Sequence, residues 1–185
     1  MKKIYILAIC LFVYNIAARA QTNINVGGGF YGQTVTYPGL VLEAELEKMF
    51  SEKASIPIRA NLGFYVQPRN SYGLFLDLNA GFRRYYSSGI FLEESIGVGI
   101  LQTFLHSDGV YSVDDSGMVS DASRVNPVDL MPSLTLGLGY NLTKTTGKQN
   151  LIWLRPKISW QLPQKLTSTF NFALQVGFTH TIHSK

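Results

Sequence analysis

The sequence predicts an all-β chain, a closed antiparallel up-and-down β-barrel of about eight strands. Three observations predict it. Apolar and polar residues alternate with period two through almost every segment after residue 20, and two is the period of a strand. Turn-forming clusters of Pro, Gly, Ser and Asn interrupt that alternation at short, regular spacing. The segments between them run to about 10–14 residues, longer than the five or six usual in soluble sheets.

Residues 1–20 read as a cleaved signal peptide, which leaves 21–185 as one barrel domain. Lys2 and Lys3 form a basic start, and Ile4 to Tyr14 form an apolar run of about eleven residues, too short for a transmembrane helix. Ala18-Arg19-Ala20 places small residues before Gln21, as signal peptidase requires. Cys10 invites a lipoprotein reading, but Ile9 is too bulky for a lipobox and Leu11, Phe12 and Val13 continue the apolar run. The single cysteine leaves with this segment, so no disulfide framework or thiol chemistry remains. So do Lys2, Lys3 and Arg19, three of the 16 basic residues, leaving 13 against 12 acidic ones. A nearly neutral mature chain gives no argument for nucleic acid as a partner.

The elements follow in order. Asn23 to Thr36 is a glycine-rich first strand, and Tyr37-Pro38-Gly39 reads as a tight turn. Leu40 to Phe50 alternates cleanly, with Leu40, Leu42, Ala44 and Leu46 on one face and Glu43, Glu45 and Glu47 on the other. Pro57 to Gln67 and Gly73 to Tyr86 are the third and fourth strands, with turns at Pro68–Ser71 and Ser87–Gly89. Ile90 to about Leu105 is the fifth, where Glu94 joins the face of Ile96, Val98 and Ile100; a bulge or strand end is expected near Glu93-Glu94. A long loop at 106–129, rich in Asp, Ser, Gly and Asn, comes next. Leu130 to Thr143, Leu151 to Leu162 and Thr167 to Ile182 complete the set. Seven strands, without Asn23 to Thr36, would leave an unpaired edge.

Alternation alone does not say which face points inward. A lipocalin-like soluble barrel turns its apolar face inside, and a transmembrane barrel turns it toward lipid. The polar faces here carry Gly, Ser, Thr, Asn and Gln in place of a dense Lys/Glu cover, and charged residues are only 15% of the chain. Aromatics near strand ends suit interfacial girdles: Tyr37, Phe50, Phe82, Tyr85, Tyr86, Phe91, Phe104, Tyr140, Trp153, Trp160, Phe170 and Phe178. Both features favour a transmembrane β-barrel.

With the apolar face outward, Glu43, Glu45, Glu47, Asp77 and Glu93 point inward to meet Arg59, Arg83, Arg155 and Lys157. Acids and bases in near balance read as a paired interior charge network that plugs the barrel. Clustered carboxylates can instead bind a cation, act as acid and base, or line a narrow conducting path. His106 stands near a strand end and is a weak catalytic candidate, but neighbours on a strand point to opposite faces, so His106-Ser107-Asp108 forms no triad unaided. His180 and His183 read as ordinary strand-end positions. No HExxH, GxSxG, phosphate-loop or Cys/His zinc pattern occurs, so neither a cofactor nor a metal is expected.

The strings Gly89–Gly99, Met131–Tyr140 and Leu154–Trp160 resemble strands of the small OmpA/OmpX-type outer-membrane barrel proteins, in the form common among Bacteroidota. That resemblance implies an outer-membrane location, lipid as the surrounding partner, and insertion by the outer-membrane assembly machinery. The machinery reads an amphipathic last strand, as Phe170, Phe172, Leu174, Val176 and Phe178 provide, although no terminal aromatic follows Ile182-His183-Ser184-Lys185. An even strand count with a periplasmic N-terminus puts the 106–129 loop outside the cell. The expected function is structural or surface-interacting and not enzymatic, with an unknown extracellular partner. The alternatives are a lipid-modifying outer-membrane enzyme and a soluble periplasmic lipocalin-like carrier.

Overall fold

A computed structural model describes residues 21–68, 71–105, 110–113, 117–122, 128–143, 150–162 and 169–184. Residues 1–20, expected to be a signal peptide, and the candidate His106 lie outside the described residues. Eight strands form one closed antiparallel barrel in the order β1-β10-β9-β8-β5-β4-β3-β2. They are β1 (Gln21–Gln33), β2 (Tyr37–Ser51), β3 (Ala54–Gln67), β4 (Ser71–Tyr85), β5 (Ile90–Leu105), β8 (Val128–Asn141), β9 (Asn150–Gln161) and β10 (Thr169–Ser184). Between β5 and β8 the chain also makes a separate two-stranded hairpin, β6 (Val110–Val113) with β7 (Val119–Ala122). The expected 106–129 loop therefore carries strand structure of its own and ends at Val128. The glycine-rich first strand is a full barrel member, and its pairing with β10 closes the sheet.

Closure fixes the barrel's dimensions. The direct partners Phe91, Gly139, Trp153, Gly177, Gly29, Val41, Gly63, Phe75 and Leu101 form a path around the wall, which returns to β5 ten residues from its start. With strands about 4.8 Å apart and a rise of about 3.3 Å per residue, this shear gives a tilt of about 41° and a radius of about 8 Å. An interior that narrow is filled by side chains.

Two local expectations are corrected. Pro38 and Gly39 belong to β2, where they pair with Gly32 and Tyr65, and the turn is made by 34–36. Pro38 sits in the first residues of a strand, where its missing N–H is tolerated. Gly39 is needed for close approach, since a Cβ there would lie 2.1 Å from the Phe64 carbonyl oxygen. Thr34 and Val35 make the turn with φ of 50° and 63°, a left-handed conformation that disfavours a β-branched residue. The bulge expected at Glu93-Glu94 is absent. Both residues keep continuous register with β4 and β8, because Glu93 must point inward to its basic partners while Ile96 and Val98 point out. The irregularities fall instead at Ile24/Asn25 and Met49/Ser51.

The two faces separate cleanly. Leu42, Leu62, Leu78, Ile96, Leu136, Ile152 and Phe178 are exposed on the outer wall, whereas Glu43, Arg59, Asp77, Glu93 and Arg155 of the same strands are buried inside. The carrier alternative, with its apolar face enclosed, does not hold for this barrel.

Candidate functional site

All nine ionisable residues expected in the interior lie there, each at 5% exposure or less. Period-two alternation puts each on the inner face, and the shear brings residues from different strands to one height. Arg83 of β4 is the hub. Its Nη2 donates to Glu45 Oε2 at 2.6 Å and to Glu93 Oε2 at 2.7 Å, and its Nη1 donates to Glu47 Oε1 at 2.9 Å. Arg59 of β3 donates to Glu93 and to Ser95 Oγ (2.9 Å), with Glu45 3.6 Å away. Asn25 adds a hydrogen bond to Glu45 at 2.8 Å.

Two smaller groups complete the network. Arg155 Nη1 donates to Glu43 Oε2 at 2.5 Å, and Thr179 donates to the other oxygen of Glu43 at 2.6 Å. Trp153 Nε1 supports Thr179 at 2.7 Å, and the Arg155 guanidinium lies 4.1 Å from the Trp153 ring centroid. Lys157 donates to Asp77, which also accepts from Asn79 and from Asn61 Nδ2 (2.8 Å). Buried charges with this many partners are held in place, since removing either side would leave an uncompensated ion. Among the described residues, no three His, Cys, Asp or Glu side chains stand close enough together to hold a metal ion.

One set of aromatics departs from the expected girdles. Tyr37, Tyr85, Phe91 and Trp153 were expected in the outer girdles, but they point inward. The correcting signal was parity: Trp153 is two residues from Arg155, Phe91 two from Glu93, and Tyr85 two from Arg83. Phe50, Phe82, Tyr86, Tyr140, Trp160, Phe170 and Phe178 do face outward. Tyr31, Val41, Tyr65, Phe75, Leu101 and Met131 form an apolar layer toward the end that carries the 34–36 turn. The interior is thus zoned, with this layer capping the charges at one end.

At the other end, near Gln21 and Ser184, the interior opens into a cavity of about 440 Å³. Asn23, Glu47, Tyr85, Tyr86, Asn141 and Thr181 contribute to its lining. On the outer wall, His180 Nδ1 and Asn150 Oδ1 are 2.7 Å apart, and no nucleophile joins them among the described hydrogen bonds.

No protein-family profile matches the chain, and no curated protein matches it. Solved structures do. The chain is similar to Ail, the attachment invasion locus protein of Yersinia pestis, crystallised with the heparin analogue sucrose octasulfate. The identity is 11%, 88% of this chain and 99% of that one are covered, and the TM-score is 0.52. It is also similar to the outer membrane enzyme PagL, with 10% identity, 86% and 99% coverage and a TM-score of 0.46. For Neisserial surface protein A the figures are 8%, 88% and 97%, and 0.44. The likeness to Ail is one of fold, and it establishes the closed eight-stranded antiparallel barrel that small outer-membrane proteins use.

Proposed function

We propose that this chain is an outer-membrane barrel protein of the Bacteroidota type, exported by cleavage after Ala20, with a structural or surface-interaction role. The observation that carries this reading is the inversion of its two faces. Leucine, isoleucine and phenylalanine cover the outer wall, while Glu43, Glu45, Glu47, Asp77 and Glu93 meet Arg59, Arg83, Arg155 and Lys157 inside. In water such a wall would be an aggregation surface; in hydrocarbon it is the stable arrangement. Strands of 12 to 16 residues exceed the roughly 9–11 that a tilted strand needs to cross a bilayer. The plugged interior supports a role outside transport, and the connection from β5 to β8 is the longest stretch of chain available to meet a partner. With β1 running outward, that connection faces the exterior.

Membrane fractionation tests the reading. The protein is expected in the outer-membrane fraction, resistant to carbonate washing, with a folded band that shifts on boiling. Its mature N-terminus is expected at Gln21. Release by carbonate, or loss of the shift, would overturn the assignment. Protease added to intact cells is expected to cut within 106–127, and protection there beside an intact periplasmic control would reverse the orientation.

A further inference from the structure

We infer that the open end of the barrel, beside Gln21 and Ser184, is a binding site for a small cationic amine, with Glu47 as its anchor. The reasoning starts from one carboxylate. Glu47 is only 3% exposed, yet its hydrogen bonds are lopsided. Ser55 Oγ (2.6 Å), Tyr85 Oη (2.6 Å) and Arg83 Nη1 (2.9 Å) all donate to Oε1. An oxygen that accepts from three donors belongs to an ionised carboxylate. Oε2 accepts from no described residue, and Glu47 borders the 440 Å³ cavity. Oε2 is reached from the cavity and not sealed in, so it is the oxygen of Glu47 open to an entering donor.

The rest of the site fits an ammonium. Glu47 has the thinnest cationic cover of the Arg83 cluster, with Arg83 as its one ion-pair partner among the described residues. Tyr85 puts an aromatic ring on the cavity wall beside Glu47, and rings attract alkylammonium groups. Asn23, Asn141 and Thr181 supply further polar groups. Lys53 also lines the rim, but it is exposed and makes no ion pair with Glu47 among the described residues. The inference rests on the barrel interior alone, and it stands whether or not the chain spans a membrane.

Putrescine titrated calorimetrically into the folded protein in a neutral detergent tests it, with 1,4-butanediol as the uncharged control. The expected result is saturable one-to-one binding of putrescine and none of the diol. Glu47→Gln, which keeps the shape but removes the charge, is expected to weaken binding by about tenfold or more. Leu151→Phe adds bulk to the cavity wall while leaving Glu47 itself unchanged, and it is expected to weaken binding as well. The boiling-dependent gel shift identifies folded variants, and if Glu47→Gln does not fold, Leu151→Phe decides. Equal binding of the diol, absence of saturation, or folded variants that bind as well as the parent would overturn the inference.

Discussion

Gly63 and Phe75 are direct partners across β3 and β4, and the Phe75 ring lies where a Gly63 side chain would be. A Cβ built on Gly63 would come within 2.0 Å of the ring's Cζ. The same relationship recurs inside the barrel at Gly139 under Phe91 (2.2 Å), Gly177 under Trp153 (2.4 Å) and Gly73 under Tyr65 (2.4 Å). Each glycine lets a large ring lie flat against the neighbouring strand, which is how so narrow an interior accommodates aromatics. Gly63→Ala is therefore expected to destabilise the barrel by about 1–3 kcal/mol. Adding Phe75→Leu should recover part of that loss, so the double variant should be less damaged than the sum of the singles. Urea titration followed by the gel shift measures both, and strict additivity would contradict the pairing.

Removing the Arg83 guanidinium takes from Glu47 its one ion-pair partner among the described residues and leaves Glu45 and Glu93 to Arg59 and Arg155 alone. Arg83→Met is expected to cost about 3–5 kcal/mol, the penalty for stranding buried charge. Arg83→Lys, which keeps the charge but loses the fork that spans three carboxylates, should fall between Arg83→Met and the parent. Urea midpoints rank the three proteins. A Met variant as stable as the parent would show that the network contributes little.

Glu94 is exposed on the outer wall, with Phe82 and Leu136 as its cross-strand partners. A carboxylate among apolar neighbours is unfavourable in lipid, though less so than Lys or Arg. Glu94→Leu is expected to raise stability in phospholipid bilayers by up to about 1–2 kcal/mol and to do much less in detergent. Equal effects in the two media would mean that Glu94 does not meet hydrocarbon.

The turn between β1 and β2 holds Val35 at φ 63° with its side chain exposed. A valine there carries strain that a glycine does not. Val35→Gly is expected to stabilise by about 1 kcal/mol, read from the same urea midpoint. Destabilisation would indicate that the valine makes a contact worth more than the strain.

Much of this architecture was legible because a strand has only two faces. Once Glu43, Glu45 and Glu47 were seen to alternate with Leu42, Ala44 and Leu46, their common side followed from the backbone alone. The same parity applied to Trp153, which shares a face with Arg155. Proximity to a strand end was given more weight there, and it misled. Partners across the barrel were a different matter. That Arg83 meets Glu45 and Glu47, or that Lys157 meets Asp77, depends on the ten-residue shear, and period-two alternation carries no information about stagger. The turn at 34–36 was hidden because Thr and Val give no turn signal, while Pro38 and Gly39 give a strong one.

The ion pairs also bear on how the chain is built. Glu43 on β2 draws its donors from Arg155 on β9 and Thr179 on β10, 112 and 136 residues away. Those donors arrive only when the first and last strands have met. A sheet still open at that seam would carry bare carboxylates and guanidinium groups into any apolar medium it entered. An outer-membrane barrel built this way would have no inexpensive partly inserted form, and its entry into the bilayer and the completion of its ring would be a single event.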